Sequence, residues 1–250
     1  MIPRIIHYCW FGPAGKPPAF LRCLESWKLY CPEFEIREWN EETARPYLQK
    51  FTKDALRKKQ YAFAADAVRM EVLAQFGGVY LDTDMLLVKP LDALLDHGFF
   101  TGYEVAGRPA YGLFGSVSGH PIIQEMVEFY RQERFNQFSP PVITHQFKDV
   151  VTKERLGFND YIYQAEYFYP MPYQDRSNNP QDYVQQKTIA VHLWDHSWKA
   201  ASPDTISGLL QNLWVVAIDY FLYGYPWAYY KRYTRGFGRK LIHRITGKEK

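Results

Sequence analysis

The chain predicts an α/β fold with a mostly parallel central sheet flanked by helices, and three observations carry that reading. Runs rich in branched and aromatic residues alternate with helical patterns through the first third of the sequence, in the order strand, helix, strand, helix, strand. The 250 residues, 47% hydrophobic and 18% aromatic, suit one sizeable core, alone or with a small appendage. The third strand ends in two carboxylates, Asp82 and Asp84, at the kind of carboxyl edge where such sheets bind ligands.

Taken in order, residues 4–10 read as a first strand, 11–18 as a loop, 19–29 as a helix and 34–39 as a second strand. A helical region over 41–48 leads to a charged patch at 53–59, and 62–76 is a stronger helix stopped by Gly77-Gly78. Residues 79–84 form the acidic strand end. Further on, 99–104 and 111–116 read as strands, the second returning antiparallel, and 121–133 as a helix with proline in its first turn. A short helix is expected at 143–151, strand character at 161–168, a polar loop over the site at 170–181, and a late strand at 188–192.

The net charge of +3 is unevenly spread. Residues 231–250 hold eight Lys or Arg and one Glu, whereas residues 1–230 set 22 basic against 26 acidic residues. The body therefore does not read as a nucleic-acid binder. Three cysteines, Cys9, Cys23 and Cys31, form no zinc spacing and fit a reducing compartment better than a disulfide framework. The start reads directly into a strand and shows no secretory signal.

In a regular strand Asp82 and Asp84 would face one side and Thr83 the other. Two carboxylates so placed suit a hard divalent cation whose other positions go to phosphate oxygens and water. A solvated strand end is the alternative from these residues alone. Asp66 and Arg69, three apart on one helix face, read either as an intrahelical ion pair or as a functional pair.

Four blocks then carry a resemblance: Ile2-Pro3-Arg4-Ile5-Ile6-His7 with Trp10 and Gly12; Ala65-Asp66 with Arg69; Gly77-Gly78-Val79-Tyr80-Leu81-Asp82-Thr83-Asp84; and Ala190-Val191-His192 with Ser197-Trp198. In this order, over roughly residues 1–200, they resemble glycosyltransferase family 32, the DXD-motif sugar transferases that include yeast-type mannosyltransferases and capsular polysaccharide enzymes. The resemblance implies a GT-A fold and transfer of a hexose or N-acetylhexosamine from a UDP- or GDP-sugar, with Mn²⁺ or Mg²⁺ and with retention of anomeric configuration. It implies that Asp82 and Asp84 hold donor and metal, that His192 is the third metal ligand with His196 as fallback, and that Asp66 and Arg69 contact the donor sugar and phosphate. It places Trp10 against the nucleotide base, with Tyr80 lining the donor site and Ser197 and Trp198 at the diphosphate. His7 is expected to be structural, and Asp175 and Asp182 are weaker candidates for orienting the acceptor. The family's Gly-Pro before a threonine is replaced here by Ser139-Pro140-Pro141 before Thr144, which leaves the acceptor wall open.

A boundary is expected near residue 205, giving a catalytic domain at 1–205 and an aromatic, basic appendage at 206–250. Residues 209–230 are strongly apolar, but Asp219 and the Gly224/Pro226 break argue against a membrane-spanning helix. A helix lying at an anionic membrane surface fits better, on the inner face of the cell membrane, with a lipid-linked saccharide of surface polysaccharide or lipopolysaccharide synthesis as acceptor. The rival readings are a helix packed on the core, a nucleotide-sugar hydrolase, and a non-catalytic carbohydrate-binding module.

Overall fold

The computed structural model describes residues 1–105, 107–136, 143–195 and 206–222, and beyond these only positions 227, 231, 234, 237 and 238. The chain divides into two compact units, Met1–Phe135 with Pro141–Ser197, and Asn136–Pro140 with Trp198–Lys250.

In the first unit, β1 (Ile5–Cys9) is followed by α1 (Pro18–Tyr30), β2 (Glu35–Trp39), α2 (Lys50–Arg57), α3 (Tyr61–Phe76), β3 (Gly78–Leu81) and β4 (Met85–Leu87). Then come β5 (Phe99–Val105), β6 (Arg108–Ser116), α4 (Pro121–Gln132), α5 (Ile143–Val150), β7 (Asp160–Tyr163), α6 (Ala165–Phe168) and β8 (Ala190–His192). Six strands form one sheet in the order β2-β1-β3-β6-β5-β7. The parallel and antiparallel pairings leave β6 as the one strand of this sheet that runs against the others. The largely parallel α/β architecture is as the sequence predicts.

Alternation along the strands sorts side chains into two layers. Val79, Leu81, Phe100 and Leu113 enter a core with Phe20 and Trp27 of α1, while Tyr80, Phe99 and Phe114 enter one with α3, α4 and α5. The buried side chains of the two layers pack both faces of the sheet.

β3 starts where it does because of its two glycines. Gly77 and Gly78 adopt φ of 64° and 105°, and a Cβ on Gly78 would lie 2.7 Å from the Ile5 carbonyl oxygen. The His7 Nε2–H donates to the Gly77 carbonyl at 2.8 Å, and His7 Nδ1 accepts from Trp39 Nε1 at 3.0 Å. His7 is fully buried in this arrangement, and desolvation lowers its pKa to about 4.

Four local expectations are corrected. The helix read at 41–48 is only a 3-10 turn at Arg45–Tyr47: the Asn40 side chain accepts from the Glu42 and Thr43 amides, and Pro46 lacks the donor a helix needs. The charged patch at 53–59 instead ends a helix, α2, which buries Phe51, Thr52 and Ala55 on one side. The strand read at 161–168 stops at Tyr163, and 165–168 turn into α6. Finally, β3 stops at Leu81, so Asp82–Asp84 is a turn rather than a strand end, and it leads into β4.

β4 is held from both sides. Trp27 Nε1 of α1 donates to the Met85 carbonyl at 2.7 Å, the Leu87 amide donates to Ser26 Oγ at 3.0 Å, and β8 pairs antiparallel along its length.

In the second unit, α7 (Ile206–Phe221) exposes Leu210, Trp214 and Phe221, which fall on one stripe, while Val216 is buried. Among the described residues no helix is long and apolar enough to cross a membrane.

Candidate metal and donor site

The site forms where β3 ends and β8 returns. Antiparallel pairing sets Met85 opposite His192, so the imidazole arrives beside the turn that carries the two aspartates. One ligand atom each from Asp82, Asp84 and His192 lies within 4.8 Å of the others. Convergence therefore comes from a turn and a strand pairing, not from period-two alternation along one strand.

Asp84 is gripped by the chain that leaves β8. Its Oδ2 lies 3.1 Å from His192 Nε2 and accepts from the Asp195 amide at 3.0 Å, and its carbonyl accepts from Leu193 N at 2.9 Å. Asp82 is tied to α3. Its Oδ1 lies 3.2 Å from Arg69 Nη1, and Arg69 Nη2 lies 2.9 Å from Asp66 Oδ1. Arg69 Nη1 also donates to the Tyr111 carbonyl of β6 at 2.9 Å, and the guanidinium sits 4.4 Å above the Tyr80 ring. Tyr80 is buried against Phe114, so it supports Arg69 from below and presents no open face of its own.

Burial and neighbouring charges compete in setting the charge states. Burial pushes the Asp66 carboxyl up to about 6 even with Arg69 alongside. Desolvation also raises Asp82, with the Arg69 charge opposing it and the Asp84 charge adding to it. For Arg69, burial disfavours the cation, but Asp82 and the neighbouring groups reverse this and hold it firmly protonated. For His192, burial lowers the pKa and the Asp84 carboxylate more than restores it, leaving the ring above the ordinary histidine value.

The donor set fits a divalent ion. Two carboxylates and an imidazole suit a cation between hard and borderline, and the ligand atoms stand close enough to share one. Among the described residues His192 Nδ1 is buried with no hydrogen-bond partner, so no second hydrogen bond ties the ring down. The side chains of Asp82 and Asp84 remain 27% and 14% exposed, which leaves a path for an ion. Binding would displace the proton between His192 and Asp84.

The structure brings Asp66, Arg69, Asp82, Asp84 and His192 together. Trp10 follows β1, half-buried, with its ring stacked on Phe20 at 5.4 Å and its Nε1–H donated to the Ala14 carbonyl. Asp175 and Asp182 lie in 3-10 turns of the 170–181 region and just beyond it. His196, Ser197 and Trp198 lie outside the described residues, as do Ser139, Pro140 and Pro141 and the side chain of Thr144. Sequence reasoning passed over Gly112, Trp194 and Asp195. Gly112 had a legible signal, since a glycine inside a strand marks close backbone approach. A Cβ there would meet Asp82 Oδ2 at 2.9 Å and the Tyr169 hydroxyl at 3.1 Å.

Comparison with known proteins agrees with this geometry. Residues 17–101 match the family described as the glycosyltransferase sugar-binding region containing a DXD motif, a span that includes Asp66, Arg69, Asp82 and Asp84. An uncharacterized glycosyltransferase of Acanthamoeba polyphaga mimivirus is 30% identical over 217 residues, covering 79% of this chain and 84% of that one. Inositol phosphoceramide mannosyltransferase 3 of Schizosaccharomyces pombe (strain 972) is 26% identical over 143 residues, covering 56% of this chain but only 40% of its own length. Among solved structures, the apo-form glycosyltransferase GlyE of Streptococcus pneumoniae TIGR4 aligns with TM-score 0.48 and 11% identity, over 94% of this chain and 64% of that one. With the viral relative matched over most of both lengths and the acidic motif seated at its sheet edge, the chain belongs to the glycosyltransferases whose sugar-binding region carries a DXD motif.

Proposed function

We propose that this protein is a retaining, divalent-metal-dependent glycosyltransferase of family 32. In this reading it moves a hexose or N-acetylhexosamine from a UDP- or GDP-sugar to a saccharide acceptor in surface polysaccharide synthesis. The observation that carries the reading is the convergence of Asp82, Asp84 and His192 beside the Asp66–Arg69 pair. Asp82, Asp84 and His192 would hold the ion, and the imidazole favours Mn²⁺ over Mg²⁺. When bound, the ion supplies positive charge to the departing diphosphate.

The chain's own residues do the rest. Arg69, kept charged by two carboxylates, sets a fixed cation next to the acidic pair and needs no reorganisation as negative charge builds on the leaving group. Asp66 orients Arg69 and is the carboxylate nearest to it on α3, suited to accept sugar hydroxyls. Trp10 would take the nucleotide base on the face not stacked on Phe20, and Ser197 and Trp198 would close on the diphosphate.

Residues 1–205 form the catalytic domain in this proposal, and 206–250 bind the cytoplasmic face of an anionic membrane. The exposed stripe of Leu210, Trp214 and Phe221 and the cationic tail support that placement. A lipid-linked acceptor follows from it, and the ceramide lipid in the name of the fission-yeast relative points the same way.

The test is a donor screen by mass spectrometry with Mn²⁺, a panel of UDP- and GDP-sugars and membrane extract as acceptor source, comparing wild type with Asp84→Ala. Metal-dependent turnover of one donor, lost in the variant, is expected. Turnover that ignores acceptors would make the protein a hydrolase, and no turnover of any donor would overturn the catalytic reading.

A further inference from the structure

Trp194 holds a backbone conformation that a tryptophan rarely adopts. Its φ is 58°, in the left-handed region where a bulky side chain is strained, and among the described residues the other non-glycine position with positive φ is Lys59. Lys59 follows the end of α2, a common place for that conformation. Trp194 has no helix to end. It sits two residues after His192 and one before Asp195.

What the strained turn achieves is visible in its neighbours. Directly after the left-handed backbone of Trp194, the next amide, that of Asp195, donates to Asp84 Oδ2 at 3.0 Å. The same oxygen is the one approached by His192 Nε2 at 3.1 Å. The indole meanwhile folds back onto the imidazole, with ring centroids 4.1 Å apart at 56°. It is anchored on its far side by a hydrogen bond from Nε1 to the Met171 carbonyl at 2.8 Å and by an edge contact with Tyr173 at 5.7 Å. His192 Nδ1 has no partner, so ring packing takes the place of the second-nitrogen hydrogen bond that usually orients a ligating histidine.

We propose that Trp194 is a positioning residue for the ion site, its left-handed backbone setting the Asp195 amide toward Asp84 and its indole fixing the His192 ring. It links the loop after α6 to two candidate ligands at once. The inference rests on the metal reading given above, and its test is built to fail separately from that reading.

Mn²⁺ binding to the full chain, followed by the electron paramagnetic resonance signal of free Mn²⁺ without any nucleotide sugar, reads the site directly. Trp194→Gly keeps the turn, because glycine adopts positive φ freely, so its loss reports the ring alone. It is expected to weaken Mn²⁺ binding by about tenfold or more, the scale set by residues that orient metal ligands. Trp194→Phe, which restores a ring against His192, is expected to recover most of that loss. Asp84→Ala is expected to abolish binding. Should Trp194→Gly lose its circular dichroism signature of folding, Trp194→Asn, which also tolerates the left-handed backbone, takes its place. If the folded variant binds Mn²⁺ as wild type does while Asp84→Ala does not bind, the proposal for Trp194 is overturned and the metal reading stands. If wild type does not bind Mn²⁺, both fall.

Discussion

Arg69 reaches Asp82 at 3.2 Å with one guanidinium nitrogen while the other holds Asp66, and all three side chains are at least largely withdrawn from solvent. Removing the cation leaves two carboxylates without their partner in a desolvated pocket. Arg69→Met should therefore cost about 3–5 kcal/mol by urea unfolding, the range for breaking a buried pair on one side. Asp66→Asn keeps a hydrogen-bond acceptor for Arg69 and should cost less. The double variant should be less destabilised than the two single effects predict, because the partners share one network.

Gly112 should tolerate no side chain. A methyl group there would press on the Asp82 carboxylate and the Tyr169 hydroxyl, both of which are placed by buried neighbours. Gly112→Ala should lower donor turnover by roughly 10- to 100-fold, the scale of a ligand displaced by about an ångström. The loss of stability should be modest, about 1–3 kcal/mol as for an overpacked core. Steady-state rates beside a thermal melt would check both halves.

The His7 ring gives the fold a pH dependence whose sign follows from its hydrogen bonds. Nδ1 accepts from Trp39, so a second ring proton has no acceptor and meets a donor instead. The folded pKa, about 4, lies below the unfolded value of 6.5. The stability this neutral ring contributes is present above pH 6.5 and is lost as the pH falls through 4. Over that window the loss should approach roughly 3 kcal/mol. Urea midpoints between pH 7 and 4 should show this slope, and His7→Gln should flatten it.

Cys9, Cys23 and Cys31 are buried, and burial pushes their thiols up to about 12, 12 and 11. A thiol-reactive chromophore should find no reactive group in the native chain at pH 8 and three after unfolding. Rapid reaction of even one in the native state would contradict the burial of these residues in the two core layers.

The second unit should bind vesicles that contain anionic lipid and ignore neutral ones, with binding weakened by salt. Serine at Trp214 and Phe221 should reduce binding severalfold without changing turnover of the soluble donor. Co-sedimentation of the full chain with vesicles decides this. Equal binding to neutral lipid would remove the anionic surface from the proposal, and binding to neither would remove the membrane.

What could be read from the chain alone, and what could not, divides along sequence distance. Asp82, Asp84 and the Asp66–Arg69 spacing sit within one short stretch, where local pattern and chemistry coincide. Their partners do not. The Tyr111 carbonyl comes from β6, Gly112 acts only because β6 pairs with β3, and the Asp195 amide reaches Asp84 across 111 residues through the β4–β8 pairing. β4 was missed because three residues carry too little periodicity to register. α2 was missed because its apolar residues, Phe51, Ala55 and Leu56, stand among charged neighbours, although all three pack into or against the core. The strand read through Phe168 failed because aromatic residues suit a strand and a short buried helix equally well.

The Asp66–Arg69–Asp82 bridge also constrains how this sequence can drift. Arg69 is the costly member to change alone, since the two carboxylates left behind lose their shared cation. A lineage can leave this arrangement only by altering helix and strand end in concert. The three positions should therefore be inherited as one character, and a homologue that has lost one of them should be found to have rebuilt the others.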